Sequence, residues 1–241
     1  MSGEAILRGE GLVKRFGGLI AVNEVSFNLY RGEILGLIGP NGAGKTTLFN
    51  LITGFLKPDR GKVYFNDKDI TGWPPHRIAL EGVARTFQLV KPFLRMTALE
   101  NVMISALSKV GGLEEAEETA LELLEFLNLS DKRDWRASSL TIVERKKVEV
   151  ARALALRPEV LLLDEPIAGL NPKEVDDMLE TLREIRKRGV TILIVEHVMR
   201  AIMNICERII VMHYGRLIAE GTPSEISSDP KVIEAYLGGV I

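Results

Sequence analysis

Apolar residues follow two rhythms along this chain. Up to about residue 93, and again from about residue 158, they gather in short runs broken by glycine, proline and charge. That is the spacing of strands alternating with helices. Ile34–Ile38, Val160–Leu163 and Val190–Val195 are almost wholly apolar and predict strands buried on both faces. Ala5–Leu7, Val25–Leu29 and Lys62–Phe65 predict a small, mostly antiparallel sheet, with turns at Arg15–Gly18 and Pro58–Gly61. Arg208–His213 and Arg216–Ala219 predict a hairpin about Gly215. Residues 70–92, with Pro74 and Pro75, read as loop-rich.

Between residues 94 and 157 the period becomes helical. Leu113–Leu129 places Ala116, Ala120, Leu123, Leu124 and Leu127 on one face, with Glu114, Glu115, Glu117 and Glu118 in solvent. A further helix is predicted from Leu140 or Thr141 to Leu156, with Val148, Ala151, Leu154 and Ala155 inward and Arg145, Lys146 and Lys147 outward. Helices are also predicted over Thr46–Thr53 (stopped by Gly54), Pro172–Arg188 (closed by Gly189), Val198–Cys206, and after Pro223 and Pro230. The pattern predicts an α/β fold: a parallel-sheet core from residues 1–93 and 158–241, an antiparallel β flank, and an inserted helical subdomain at 94–157.

Composition removes several classes. With 31 basic and 33 acidic side chains, net charge −2, the chain offers no general field for nucleic acid, and no nucleic acid partner is expected. A single cysteine, Cys206, excludes a disulfide framework or cysteine metal site and reads as a small buried residue. No signal peptide is evident, and no apolar run approaches the ~18 residues of a spanning helix. Any membrane role must therefore come through a partner.

The densest chemical signal lies between a predicted buried strand and a predicted helix. Gly39, Pro40, Asn41, Gly42, Ala43, Gly44, Lys45, Thr46 and Thr47 fit the P-loop pattern GxxxxGK[ST]. Backbone N–H groups and a helix dipole there point at an anion. Lys45 adds charge for the β- and γ-phosphates, and the Thr46 hydroxyl is placed to ligate Mg²⁺. Downstream, Val160–Leu163 delivers Asp164, a second Mg²⁺ ligand, directly or through water. Glu165 is placed to polarise an attacking water.

This set resembles the nucleotide-binding subunit of ABC transporters, over nearly the whole chain. The resemblance implies a single ATPase cassette across residues 1–241, with ATP and Mg²⁺ as cofactors. Phe16 is similar to the aromatic that stacks on adenine. Gln88, after Arg85, Thr86 and Phe87, is similar to the Q-loop glutamine that senses Mg²⁺ and the γ-phosphate. Ala168–Pro172 occupies the D-loop position, a dimer contact, and His197 is similar to the switch histidine that bonds the γ-phosphate. Lys45, Gln88, Glu165 and His197 are thus the implied catalytic set, and Thr46, Gln88 and Asp164 the metal set.

Arg15–Gly18, Ile52–Pro58, Val83–Gln88, Ala168–Pro172, Ala219–Pro223 and Ala235–Gly238 resemble, in particular, ATP-binding subunits of branched-chain amino acid importers. Lipopolysaccharide-export ATPases share part of the pattern. The implied function is ATP hydrolysis powering import of branched-chain or related amino acids, with export as the alternative. The implied partners are a second ABC ATPase subunit, identical or different, and transmembrane permease subunits. The implied place is peripheral, on the cytoplasmic face of the cell membrane. Leu89, Val90, Phe93, Leu94, Arg95 and Met96 fall where the family receives a short permease helix, so some should form an exposed apolar groove.

One segment departs from the family. The usual Leu-Ser-Gly-Gly-Gln signature, which faces the nucleotide of the other subunit, reads Leu140, Thr141, Ile142, Val143 and Glu144. Val143 adds a branched side chain where glycine allows close approach. Glu144 puts a carboxylate where the family has an amide. The expectation is a re-shaped but working half-site at Thr141, Ile142, Val143 and Glu144. The alternative is a nucleotide-gated subunit with weak hydrolysis.

Overall fold

The computed structural model describes residues 3–87 and 92–237. Strands β1 (Ala5–Phe16), β2 (Leu19–Tyr30) and β3 (Ile34–Ile38) lead into helix α1 (Lys45–Ile52). Next come β4 (Arg60–Phe65), β5 (Lys68–Asp69), α2 (Pro75–Glu81) and β6 (Val83–Arg85). Helices α3 (Ala98–Ala106), α4 (Leu113–Phe126) and α5 (Ile142–Leu154) follow, then β7 (Val160–Asp164), α6 (Pro172–Lys187), β8 (Thr191–Val195) and α7 (Met199–Ile205). The hairpin β9 (Arg208–His213) and β10 (Arg216–Gly221) precedes α8 (Pro223–Ser228) and α9 (Pro230–Leu237).

One sheet has the order β10-β9-β3-β8-β7-β6 and is parallel except for the β9–β10 hairpin. The other is the antiparallel flank, in the order β2-β1-β4-β5. The central strands β3, β7 and β8 are buried at every position because each face meets a different layer. In β7, Leu161 and Leu163 pack with residues of α5 and α6, whereas Val160 and Leu162 pack with the flank and α1. β8 divides in the same way, Ile192 and Ile194 against Leu193 and Val195. Register then sets the site. Leu37 and Asp164 both pair with Val195, so β3, β7 and β8 end level at one edge of the sheet. The loops that leave that edge carry the candidate chemistry.

Three local expectations are corrected. Residues 70–92 are not all loop: they supply α2 and the edge strand β6, too short for a recognisable period. β1 and β2 extend well beyond Ala5–Leu7 and Val25–Leu29, because repeated register shifts interrupt their alternation. Lys146 does not face solvent but is buried in the interior. Cys206 is buried, as expected, and burial pushes its thiol pKa up.

Candidate nucleotide site

The P-loop is shaped by close backbone approaches. A Cβ on Gly39 (φ 150°) would lie 2.1 Å from the Met212 carbonyl oxygen, and one on Gly44 (φ 103°) 2.3 Å from that of Ala21. Only glycine fits either position. The Gly215 N–H donates to the Ala43 carbonyl at 2.9 Å, tying the loop to the β9–β10 turn. Gly44 then caps α1 with no side-chain acceptor, and the first turn carries no acid. The amides there are left for an anion. Lys45 Nζ donates to the loop's own carbonyls, Gly39 at 2.6 Å and Pro40 at 3.0 Å. Burial lowers the Lys45 pKa, and the charges of Glu165 and Asp164 oppose that fall. P-loop ammonium and strand-end carboxylates thus share one field. Thr46 is exposed in the first turn.

Asp164 is 3% exposed, and its Oδ2 accepts from Arg85 Nη2 at 2.7 Å. Arg85, on β6, also donates to Asn50 Oδ1 at 2.7 Å and Thr53 Oγ1 at 3.2 Å at the far end of α1. Its guanidinium lies 5.3, 6.0 and 5.2 Å from the ring centres of Phe49, Phe55 and Phe87. Arg85 therefore fixes the strand-end carboxylate against the P-loop helix.

Glu165 adopts φ 53°, unusual for a residue with a side chain. Its Oε1 lies 3.5 Å from His197 Nδ1, with the imidazole more than half exposed. The following turn is pinned from two directions. Lys146 Nζ donates to the carbonyls of Glu165, Pro166 and Ala168 at 3.0, 3.1 and 2.8 Å. The buried Glu196 carboxylate accepts from the amides of Ile167 at 2.8 Å and His197 at 3.3 Å, and burial raises its pKa. Glu149, also buried, accepts from the Phe87 amide at 3.0 Å, and burial pushes its carboxyl up to about 7.

Arg85, Lys146, Glu149 and Glu196 were missed as site residues at the level of sequence. A signal existed for two of them. Lys146 and Glu149 share a helical face with Val150 and Ala153, all buried. Arg85 and Glu196 sit at strand ends, where only tertiary placement reveals their role. Phe16 is 47% exposed at the β1–β2 hairpin turn. Gln88, Leu89 and Val90 lie outside the described residues. Phe93 and Leu94 are 46% and 49% exposed, and Phe87 packs edge-on to half-exposed Phe55 with centroids 5.5 Å apart, so an apolar surface does follow β6.

The departing segment forms a closed end. Thr141 Oγ1 accepts from the Glu144 amide at 3.3 Å, and Glu144 Oε2 accepts from the Thr141 amide at 2.7 Å. This is a capping box, and it turns the Glu144 carboxylate back onto its own helix. Ile142 and Val143 stand outside the box, and Ile142 is 64% exposed.

The donor set fits Mg²⁺: a hydroxyl at Thr46 and a carboxylate at Asp164 are hard oxygen ligands. Among the described residues no group of three or more His, Cys, Asp or Glu could by itself hold a metal. Mg²⁺ commonly takes one or two protein ligands and completes its shell with substrate phosphates and water.

Parallel strands, a P-loop and level carboxylates define a P-loop nucleotide-binding protein. Comparison with known proteins gives its family. The ABC transporter family profile matches residues 22–168, and that of the branched-chain amino acid ATP-binding cassette transporter matches residues 216–240. The high-affinity branched-chain amino acid transport ATP-binding protein LivG of Escherichia coli (strain K12) is 43% identical over 98% of both chains. A crystal structure of a nucleotide-free ATP-binding cassette from an ABC transporter is 39% identical with TM-score 0.90, covering 98% of this chain and 100% of that one. A dimeric post-hydrolysis cassette bound to ADP and Pi is 26% identical with TM-score 0.81, covering 90% of this chain and 98% of that one. The chain belongs to the ABC transporter family: it is a nucleotide-binding ATPase cassette, and its activity is coupled to transport.

Proposed function

We propose that this cassette binds Mg-ATP and, paired with a second cassette on a permease, hydrolyses it to drive import of branched-chain or related amino acids. The placement is peripheral, on the cytoplasmic face of the membrane. Among the described residues no helix is long and apolar enough to cross a membrane, which accords with docking on permease subunits. The observation that carries the reading is the approach of Glu165 to His197 on level strand ends, in one field with Lys45.

ATP stacks on Phe16 and seats its phosphates on Gly39–Thr47. Lys45 exchanges its loop carbonyls for phosphate oxygens. Thr46, Gln88 and Asp164 hold Mg²⁺, which neutralises phosphate charge when bound. Glu165 accepts a hydrogen bond from the attacking water, and His197 orients the γ-phosphate. The protein contributes positioning and electrostatics. Thr141–Glu144 of the second cassette covers the phosphates. Residues 94–157 form the helical subdomain that carries this segment, and Phe93 and Leu94 belong to the surface offered to the permease.

Glu165→Gln tests the chemistry. It should keep ATP affinity, stop turnover, and convert to an ATP-dependent dimer measurable as molar mass. Turnover at the parent rate would overturn the assignment. The capping box at Thr141–Glu144 favours a second reading, a nucleotide-gated subunit with weak hydrolysis. Negligible turnover of the parent chain on its permease, with intact ATP affinity, would select it.

A further inference from the structure

Glu165 is held in a left-handed backbone conformation that a residue with a side chain adopts only when its surroundings impose it. The surroundings are unusual in kind. Lys146 is 8% exposed, and its ammonium directs its hydrogen bonds to the backbone rather than to a carboxylate: 3.0 Å to the Glu165 carbonyl, 3.1 Å to Pro166 and 2.8 Å to Ala168. An ammonium has three donors and no acceptor, and three carbonyls converge on it. The Glu196 carboxylate takes the Ile167 amide of the same turn at 2.8 Å. The turn carrying Glu165 is thus clamped by a buried cation on its carbonyls and a buried anion on an amide.

We propose that Lys146 is a positioning residue for Glu165, holding the backbone turn that aims this carboxylate at the attacking water. It also joins two sites. Lys146 lies five residues beyond Thr141, the N-cap of α5, or about 7.5 Å of helix rise. A shift of α5 on the partner's nucleotide is therefore delivered to Glu165 of the same chain. The inference rests on Glu165 being the group that activates water.

Its test is steady-state ATP hydrolysis by the full chain assembled on its permease. Lys146→Met keeps the bulk and removes the donors. It should lower kcat about 10- to 100-fold, the cost of a misplaced catalytic group, with KM for ATP within about twofold. Lys146→Arg, which still donates to carbonyls, should recover most of the rate. In a Glu165→Gln background, Lys146→Met should change the residual rate by less than about twofold, because the group it positions is gone. Should Lys146→Met fail to fold, Lys146→Gln, with its shorter arm and amide donors, is expected to lower kcat in the same selective way. An unchanged kcat in Lys146→Met, a rise in KM matching the fall in kcat, or a further loss in the Glu165→Gln background would overturn the proposal. Parent-rate turnover by Glu165→Gln alone would instead overturn the assignment of Glu165, whatever Lys146 does.

Discussion

In the function proposed above, helices α1 and α5 both begin next to phosphate, and their sequences treat those beginnings in opposite ways. α1 starts at Gly44 with no side-chain cap and no acid in its first turn, and it buries only Leu48, Phe49, Leu51 and Ile52. α5 starts with Thr141 and Glu144 bonded to each other's amides, and it buries Lys146 and Glu149 among its apolar residues. An end begun by glycine gives up only a few tenths of a kcal/mol of helix stability and keeps its amides available for a ligand. A capped end is stable alone and offers less. The charges inside α5 compensate in another way. They bolt that helix to the Glu165 turn and to Phe87, so α5 is built to transmit position and α1 to bind.

The strongest test of this contrast is at the far end of α1. If that helix is anchored away from its open end, Arg85 is the anchor, through Asn50, Thr53 and Asp164. Arg85→Leu leaves a buried carboxylate without its cation and should cost about 3–5 kcal/mol in urea unfolding. A loss under about 1 kcal/mol would show that α1 is held by its apolar face alone.

Next in size is the open end itself. Lys45→Ala should weaken ATP binding about 100-fold by calorimetry, the size of one charge-assisted hydrogen bond to phosphate. Thr141→Ala should cost the isolated chain about 1 kcal/mol of stability and leave its ATP affinity unchanged. Equal effects on affinity from the two variants would break the distinction between the helices.

The open end was legible in the sequence and the charged interior of α5 was not, for a physical reason. Gly39, Gly44 and Lys45 form a local pattern in which spacing carries the function, and the apolar run Val160–Leu163 announces that Asp164 ends a buried strand. Lys146 stands between Arg145 and Lys147, and three basic residues in a row look like a solvated face. Its burial depends on carbonyls twenty residues on, in a turn whose shape is set only after β7 and β8 pair. Arg85 belongs to a strand that exists through its pairing with β7 rather than through any period of its own. The capping box is local, written in Thr141 and Glu144 three residues apart, but the same two positions also read as a family signature without its glycines.

A third prediction uses the buried acid that α1 lacks. Burial holds the Glu149 carboxyl at about 7, against 4.5 for an ordinary glutamate, although the Phe87 amide and the charges of Arg152 and Lys146 pull it down. The folded chain therefore holds this proton more tightly than the unfolded chain between those values. Stability from this group is full below pH 4.5, falls as pH rises to about 7, and is flat beyond. Glu149→Gln keeps an acceptor for the Phe87 amide and removes the charge. It should flatten that slope and exceed the parent by about 1–3 kcal/mol at pH 8. A slope unchanged by the substitution would place the titration elsewhere.

The smallest effect is the most diagnostic for the closed end. Glutamine also serves at the third position of a capping box, so Glu144→Gln should leave folding stability within about 0.5 kcal/mol. What it removes is a negative charge at the helix end proposed to meet the partner's polyphosphate. If the box opens to admit that phosphate, the carboxylate swings towards it and repels it. Glu144→Gln in the Glu165→Gln background should then tighten ATP-dependent dimerisation about two- to fivefold at low salt, and less at high salt, where such charges are screened. If the box stays shut, the carboxylate remains on the Thr141 amide and dimerisation by sedimentation should not change. An unchanged dimer would leave the amides of Ile142 and Val143, with the exposed Ile142 side chain, as the contact surface. The half-site would then work by backbone donors from a helix that never uncaps.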